Sequence, residues 1–167
     1  MGRCLVIANQ TLGGEPLERA LAERIARGVQ DFVIVVPATD PQHEARMWSL
    51  DFPVDGDLIA AVPQEMWEED ERRRKLATSE ARRRAEIRLG LIIDRITSLG
   101  GNAEGSVGDS NPLVAAQQIL ERERFDEIVI STLPAGISRW LKMDLPNRIA
   151  RITHVPVMTV EAEAAEV

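Results

Sequence analysis

Between Asn102 and Val160 the chain alternates apolar runs of strand length with runs of helix length, and this alternation limits the fold more than any other feature. A short strand, Asn102 to Val107, leads into Gly108-Asp109-Ser110-Asn111-Pro112 and then a helix from about Leu113 to Arg124. A hydrophobic strand follows, Glu127-Ile128-Val129-Ile130-Ser131, and after it a loop with Pro134 and Gly136. A second helix and a last strand, Val155 to Val160, close the series. Strand, helix, strand, helix, strand in sequence calls for a parallel sheet with right-handed crossovers. In such sheets ligands sit at the carboxyl ends of the strands, so the same alternation says where to look for function.

The first third repeats the rhythm. Cys4 to Ala8 is a buried strand by length and composition, and Gly13-Gly14 opens a helix to about Arg27. Leu17, Leu21 and Ile25 keep helical spacing along it, with Ala20, Ala22 and Ala26 filling in, and Gly28 suits the residue after its end. Phe32 to Val36 is a second buried strand, stopped by Pro37. Residues 40–64, with Pro41, Pro53, Gly56 and Pro63, read as an irregular insertion. A helix is expected from Glu65, continuing with a break to Leu99 and ended by Gly100-Gly101. The whole is one α/β domain, residues 1–160, a doubly wound five-stranded parallel sheet, followed by an acidic tail, 161–167.

The net charge of −7 argues against a nucleic-acid or anionic-membrane partner, because phosphate repels such a chain at long range. One cysteine, Cys4, allows no internal disulfide and no cysteine-based zinc site; it reads as an inert core residue. His43 and His154 lie in separate segments, so no metal site is expected. No apolar run approaches membrane-spanning length, no secretory signal or myristoylation motif opens the chain, and a cytoplasmic protein is expected. The sequence holds no Gly-x-Ser-x-Gly elbow and no Walker loop.

Candidate ligand-binding residues gather at the strand ends. Asn9, Gln10 and Thr11 follow the first strand, and Val36 ends the second. Their amides and hydroxyls would hold a ligand, or else Asn9 and Thr11 cap local turns. Gly108 and Asp109 open a helix start that suits backbone capture of an anion, or a plain helix entry capped by Ser110 or Asn111. Ser131, Thr132, Gly136, Ser138 and Arg139 line the other side. Arg139 either clasps an anion through its planar fork or pairs with Asp144 or the acidic tail. Trp140 and Leu141 read as packing. The run from Glu68 to Lys75 sets four acids four residues ahead of four bases, which describes a self-paired solvated helix. Arg82-Arg83-Arg84, flanked by Glu80 and Glu86, is left to touch a partner or phosphates.

Four passages together resemble the universal stress protein family. Leu5 to Asn9 looks like its first strand, which usually ends in Asp, and Gly108-Asp109 with Pro112 looks like its Gly-Asp-Pro turn. Phe125 to Ile130 is similar to its Ala-Asp-Leu-Ile-Val strand, and Arg148 through Val160 is similar to its last helix and final strand. The resemblance implies strand order 3-2-1-4-5, in the manner of the adenine nucleotide alpha hydrolases. It also implies an adenine nucleotide such as ATP as ligand, and a homodimer through the strand Val155–Val160. ATP-binding members carry Gly-x2-Gly-x9-Gly-Ser/Thr after the fourth strand; here only Gly136 remains, and Asp144-Leu145 take the place of the closing pair. No cofactor is certain on this reading, and weak or absent nucleotide binding is expected rather than tight binding. The leading expectation is a non-enzymatic, stress-protein-like binder of a small ligand or partner. The alternatives are an interaction module built on Met47, Trp48 and Trp67, and an undetected nucleotide hydrolase or transferase.

Overall fold

A computed structural model of the protein describes residues 2–8, 11, 14–38, 64–109, 111–133 and 139–162. Its elements run β1 (Gly2–Ile7), α1 (Glu15–Ala26), β2 (Val29–Pro37), α2 (Gln64–Ser98) and β3 (Asn102–Gly108). They continue with α3 (Pro112–Arg122), β4 (Glu127–Thr132), α4 (Arg139–Lys142), α5 (Leu145–Ile152) and β5 (Val157–Glu161). The strands form one sheet in the order β3-β2-β1-β4-β5, and every neighbouring pair is parallel. The expected architecture and strand order are both present.

The sheet is buried on both faces, which is why its central strands are continuous apolar runs. Cys4, Val6, Ala8, Phe32, Ile34 and Val129 face one way, against Leu17 and Leu21 of α1 and Ala85, Leu89, Ile92 and Ile96 of α2. Leu5, Ile7, Val33, Val35, Ile128 and Ile130 face the other way, against Ala115 and Ala116 of α3, Trp140 of α4, and Leu145 and Ile149 of α5. Each fully buried Leu or Ile contributes about 1.5–3 kcal/mol. Truncating a central one, Ile34→Ala or Ile130→Ala, would cost about 2–5 kcal/mol. Trp140 is buried in the second cluster and serves packing, as expected of it.

Three details differ from the expectation. The helix expected to break between Glu65 and Leu99 is one helix of 35 residues. Ion pairs one turn apart, Glu71–Lys75, Glu80–Arg84 and Arg82–Glu86, brace its exposed side, and no proline interrupts it. The last strand starts at Val157 rather than Val155, although the Pro156 carbonyl already accepts from Ile128 N. The final crossover is two short helices, and Asp144 between them turns the chain in the left-handed conformation, φ 57°. The 40–64 insertion and the end of the acidic tail, 163–167, lie outside the described residues.

Candidate functional site

The strand order reverses between β1 and β4. The chain leaves β1 toward α1 on one face and leaves β4 toward α4 and α5 on the other. The two carboxyl ends therefore part, and the crevice between them is the place where a doubly wound sheet receives a ligand.

Two hydroxyls close the floor of that crevice. Ser131 Oγ donates to Thr11 Oγ1 at 2.7 Å, and Thr11 Oγ1 donates to the Ser131 carbonyl at 3.2 Å. Both side chains are buried. Thr132, also buried, donates its hydroxyl to the Leu133 carbonyl at 3.0 Å. A hydroxyl can donate once and accept twice, so this pair keeps acceptor capacity free. Its structural work is plain: it ties the turn after β1 to the end of β4.

Val36 places its side chain in the core cluster, so only its backbone faces the strand end. Gly108 closes β3, and its carbonyl accepts from Ala38 N at 3.2 Å. A Cβ there would stand 2.9 Å from Ala115 Cβ and 3.1 Å from Val35 Cγ1, so α3 can seat this close only over glycine. Asp109 Oδ1 accepts from Asn111 N at 2.9 Å, and Asn111 Oδ1 accepts from Leu113 N at 3.0 Å. Asn111 is thus the cap of α3, and Asp109 makes the turn before it. Gly108 and Asp109 lie two strands from β1, roughly 10 Å away at ~4.8 Å per strand.

The structure brings Thr11, Ser131 and Thr132 together, with Gly108 and Asp109 on the same rim. Asn9, Gln10, Gly136 and Ser138 fall outside the described residues. Arg139 opens α4 by its backbone, and its side chain is not among those described. Met47 and Trp48 are likewise outside, and Trp67 is placed only as part of α2. Among the described residues no cluster of His, Cys, Asp and Glu could hold a metal, and no helix is long and apolar enough to cross a membrane.

Asp144 keeps the backbone conformation that glycine supplies most easily. Its Oδ1 accepts from Asn147 Nδ2 at 2.7 Å, and its carbonyl accepts from Arg148 N at 3.0 Å. Its carboxylate is exposed at this turn.

Sequence reasoning missed a polar cluster at the opposite end of the sheet. Arg24, 6% exposed at its side chain, donates from Nε to Glu127 Oε1 at 2.6 Å and from NH1 to the Ala20 carbonyl at 2.9 Å. Its NH2 lies 2.8 Å from Met158 Sδ. Beside this pair, Cys4 is fully buried; burial, and after it the Glu127 carboxylate, push its thiol up to about 12. A groove of about 440 Å3, lined by Arg3, Asp31, Phe32, Asn102 and Glu104, also sits at the amino ends of the strands. Arg3 there already pairs with Glu123 at 2.6 Å and Glu104 at 3.3 Å, and its guanidinium lies 5.2 Å from the centre of the Phe125 ring.

The fold has counterparts among solved structures. A universal stress protein from Archaeoglobus fulgidus aligns over 96% of this chain and 93% of its own, with 14% identity and a TM-score of 0.54. A universal stress protein family protein from Arabidopsis thaliana with AMP bound aligns over 98% and 94%, at 16% identity and a TM-score of 0.51. A universal stress protein in complex with cAMP aligns over 98% and 100%, at 13% identity and a TM-score of 0.50. The fold is that of the universal stress proteins. No protein-family model and no curated protein matches the sequence.

Proposed function

We propose that the crevice at the carboxyl ends of β1 and β4 binds an adenine nucleotide as a ligand and carries no chemistry on it. The observation that supports this most is the reversal of strand order, with Thr11 and Ser131 joined across its floor. Two structures that share this fold hold AMP and cAMP. The Gly108 turn leads into the capped start of α3, whose helix dipole favours an anion on the same rim.

Affinity should be modest. The glycines that let a backbone approach phosphates closely are reduced to Gly136, and Asp144 adds a negative charge at the closing turn. Titration calorimetry with AMP and ATP tests the reading: dissociation constants of about 10 μM to 1 mM are expected. Nucleotide recovered intact after prolonged incubation would agree with a ligand role, and release of phosphate or AMP from ATP would replace it with the hydrolase reading.

The free side of β5 supports a homodimer on the same reading. Ile128 N donates to the Pro156 carbonyl and Ala162 N donates to the Thr132 carbonyl, so alternate residues of β5 serve β4. The N–H and C=O groups of Val157, Thr159 and Glu161 then point away from the sheet, and among the described residues no strand meets them. A second copy related by a two-fold axis would satisfy this edge.

A further inference from the structure

Helix α2 is far longer than its seat on the sheet. Its 35 residues span roughly 52 Å at ~1.5 Å per residue, yet among the described side chains its buried residues run from Ala81 to Ile96. Ahead of Ala81 the described side chains, Glu68, Glu71, Arg72, Lys75, Leu76, Ser79 and Glu80, are all exposed.

Opposite the buried face runs a second stripe. Leu76, Ile87 and Leu91 are 65%, 58% and 66% exposed. At ~100° per residue, positions 76, 80, 83, 87 and 91 fall within about 80° of one another, on the side away from Ala85, Leu89 and Ile96. The stripe therefore reads Leu76, Glu80, Arg83, Ile87, Leu91, with steps of four, three, four and four residues, the spacing of a helix–helix seam. Gly90 lies beside it, where an added Cβ would meet nothing within 4 Å among the described residues. A glycine in an exposed helix interior costs about 1 kcal/mol relative to alanine, and no contact among the described residues calls for it. It does admit the close approach of another backbone from outside.

From these observations we infer that the outer stripe of α2 is the docking surface for α2 of a second copy, packed antiparallel about a two-fold axis between residues 81 and 82. Charge complementarity selects the occupant and the register. About that axis residue i faces residue 163 − i, so Leu76 meets the partner's Ile87 and Glu80 meets the partner's Arg83, each twice. Leu91 lies along the aliphatic stem of the partner's Arg72. A shift by one heptad or a parallel arrangement loses the Glu80–Arg83 match. The contact buries the exposed leucines and isoleucine and supports the half of α2 that extends beyond the sheet, a length marginal for a helix alone. It lies at the β3 side of the molecule, on the opposite flank from the β5 edge.

Sedimentation equilibrium on the full chain tests it, with Glu80→Arg, Arg83→Glu, the double exchange Glu80→Arg/Arg83→Glu, and Ile87→Ser, each checked for helix content by circular dichroism. Each single reversal sets like charges across the axis and should weaken association about tenfold, the double exchange should restore it, and Ile87→Ser should weaken it similarly. Because the β5 edge is untouched in every variant, any association through that edge cancels from the comparison. Four association curves superimposable on the parent's would overturn the inference. So would a double variant no better than the singles, or an Ile87→Ser variant that leaves association unchanged.

Discussion

Arg24 and Glu127 stand 103 positions apart in sequence and meet in an ion pair of 2.6 Å beneath the edge strand, with Met158 Sδ as a third neighbour. The Arg24 side chain is only 6% exposed and that of Glu127 28%. Deleting one partner leaves a charge in a place that water scarcely reaches. Glu127→Ala should therefore lower unfolding stability by about 3 kcal/mol, measured by urea denaturation. Replacing both, Arg24→Met with Glu127→Leu, should recover most of that loss. A single variant as stable as the parent would show that the pair is not isolated from solvent.

Cys4 links this cluster to pH. Its thiol is pushed up to about 12 in the folded protein, whereas an unfolded cysteine ionises near ~8.5. Between these values the unfolded chain has lost a proton that the folded chain keeps, so stability falls as pH rises from about 9 toward 12, by up to ~1.4 kcal/mol per unit from this group. Well below that range the thiol keeps its proton in both states and adds no pH dependence. Denaturation midpoints across pH 7 to 11 should show the decline, and Cys4→Ala should flatten it. A thiol reagent should label the native protein at pH 8 only at the rate of global opening; rapid labelling would contradict the burial.

Parallel strands buried on both faces announce themselves as unbroken apolar runs, and for that reason Cys4 to Ala8, Phe32 to Val36 and Ile128 to Ile130 were legible, and with them the architecture. The cap of α3 was legible only as a choice between Ser110 and Asn111, which the structure resolves to Asn111, directly ahead of Pro112. Arg24 was not. Leu17, Ala20 and Leu21 are buried and Ile25 packs partly buried against the core, as the spacing suggests, but the helix also buries Arg24, which apolar periodicity does not mark. The Thr11–Ser131 contact spans 120 positions and leaves no local pattern. The break expected in α2 is absent, and i,i+4 ion pairs between Glu71 and Arg84 help brace its exposed part.

At the β5 edge, a dimer through this strand should protect the amides of Thr159 and Glu161 from hydrogen exchange, and dilution should expose them. Thr159→Pro removes an outward N–H while sparing the ladder to β4, so it should abolish that protection and weaken pairing at least about tenfold. Amides at Thr159 and Glu161 that exchange freely at high protein concentration would rule the edge out.

Asp144 holds a left-handed backbone that costs most L-residues about 1 kcal/mol and costs glycine almost nothing. Asp144→Gly should keep the turn, release the Asn147 side chain and remove one negative charge from the closing turn. Removing a like charge at short range from a phosphate is worth about 1 kcal/mol in water, so AMP should bind about fivefold more tightly to the variant by calorimetry. Unchanged affinity would place Asp144 away from the bound phosphate.

The measurement closest to the central claim is a titration of the 15N-labelled protein with AMP, followed by the amide resonances. The account predicts saturable shifts at Thr11, Gly108, Asp109, Ser131 and Thr132, around the carboxyl ends of the strands, and none at Asp31, Asn102 and Glu104 at the opposite end. No shift at millimolar AMP, or shifts confined to the groove between Asp31 and Glu104, would contradict it.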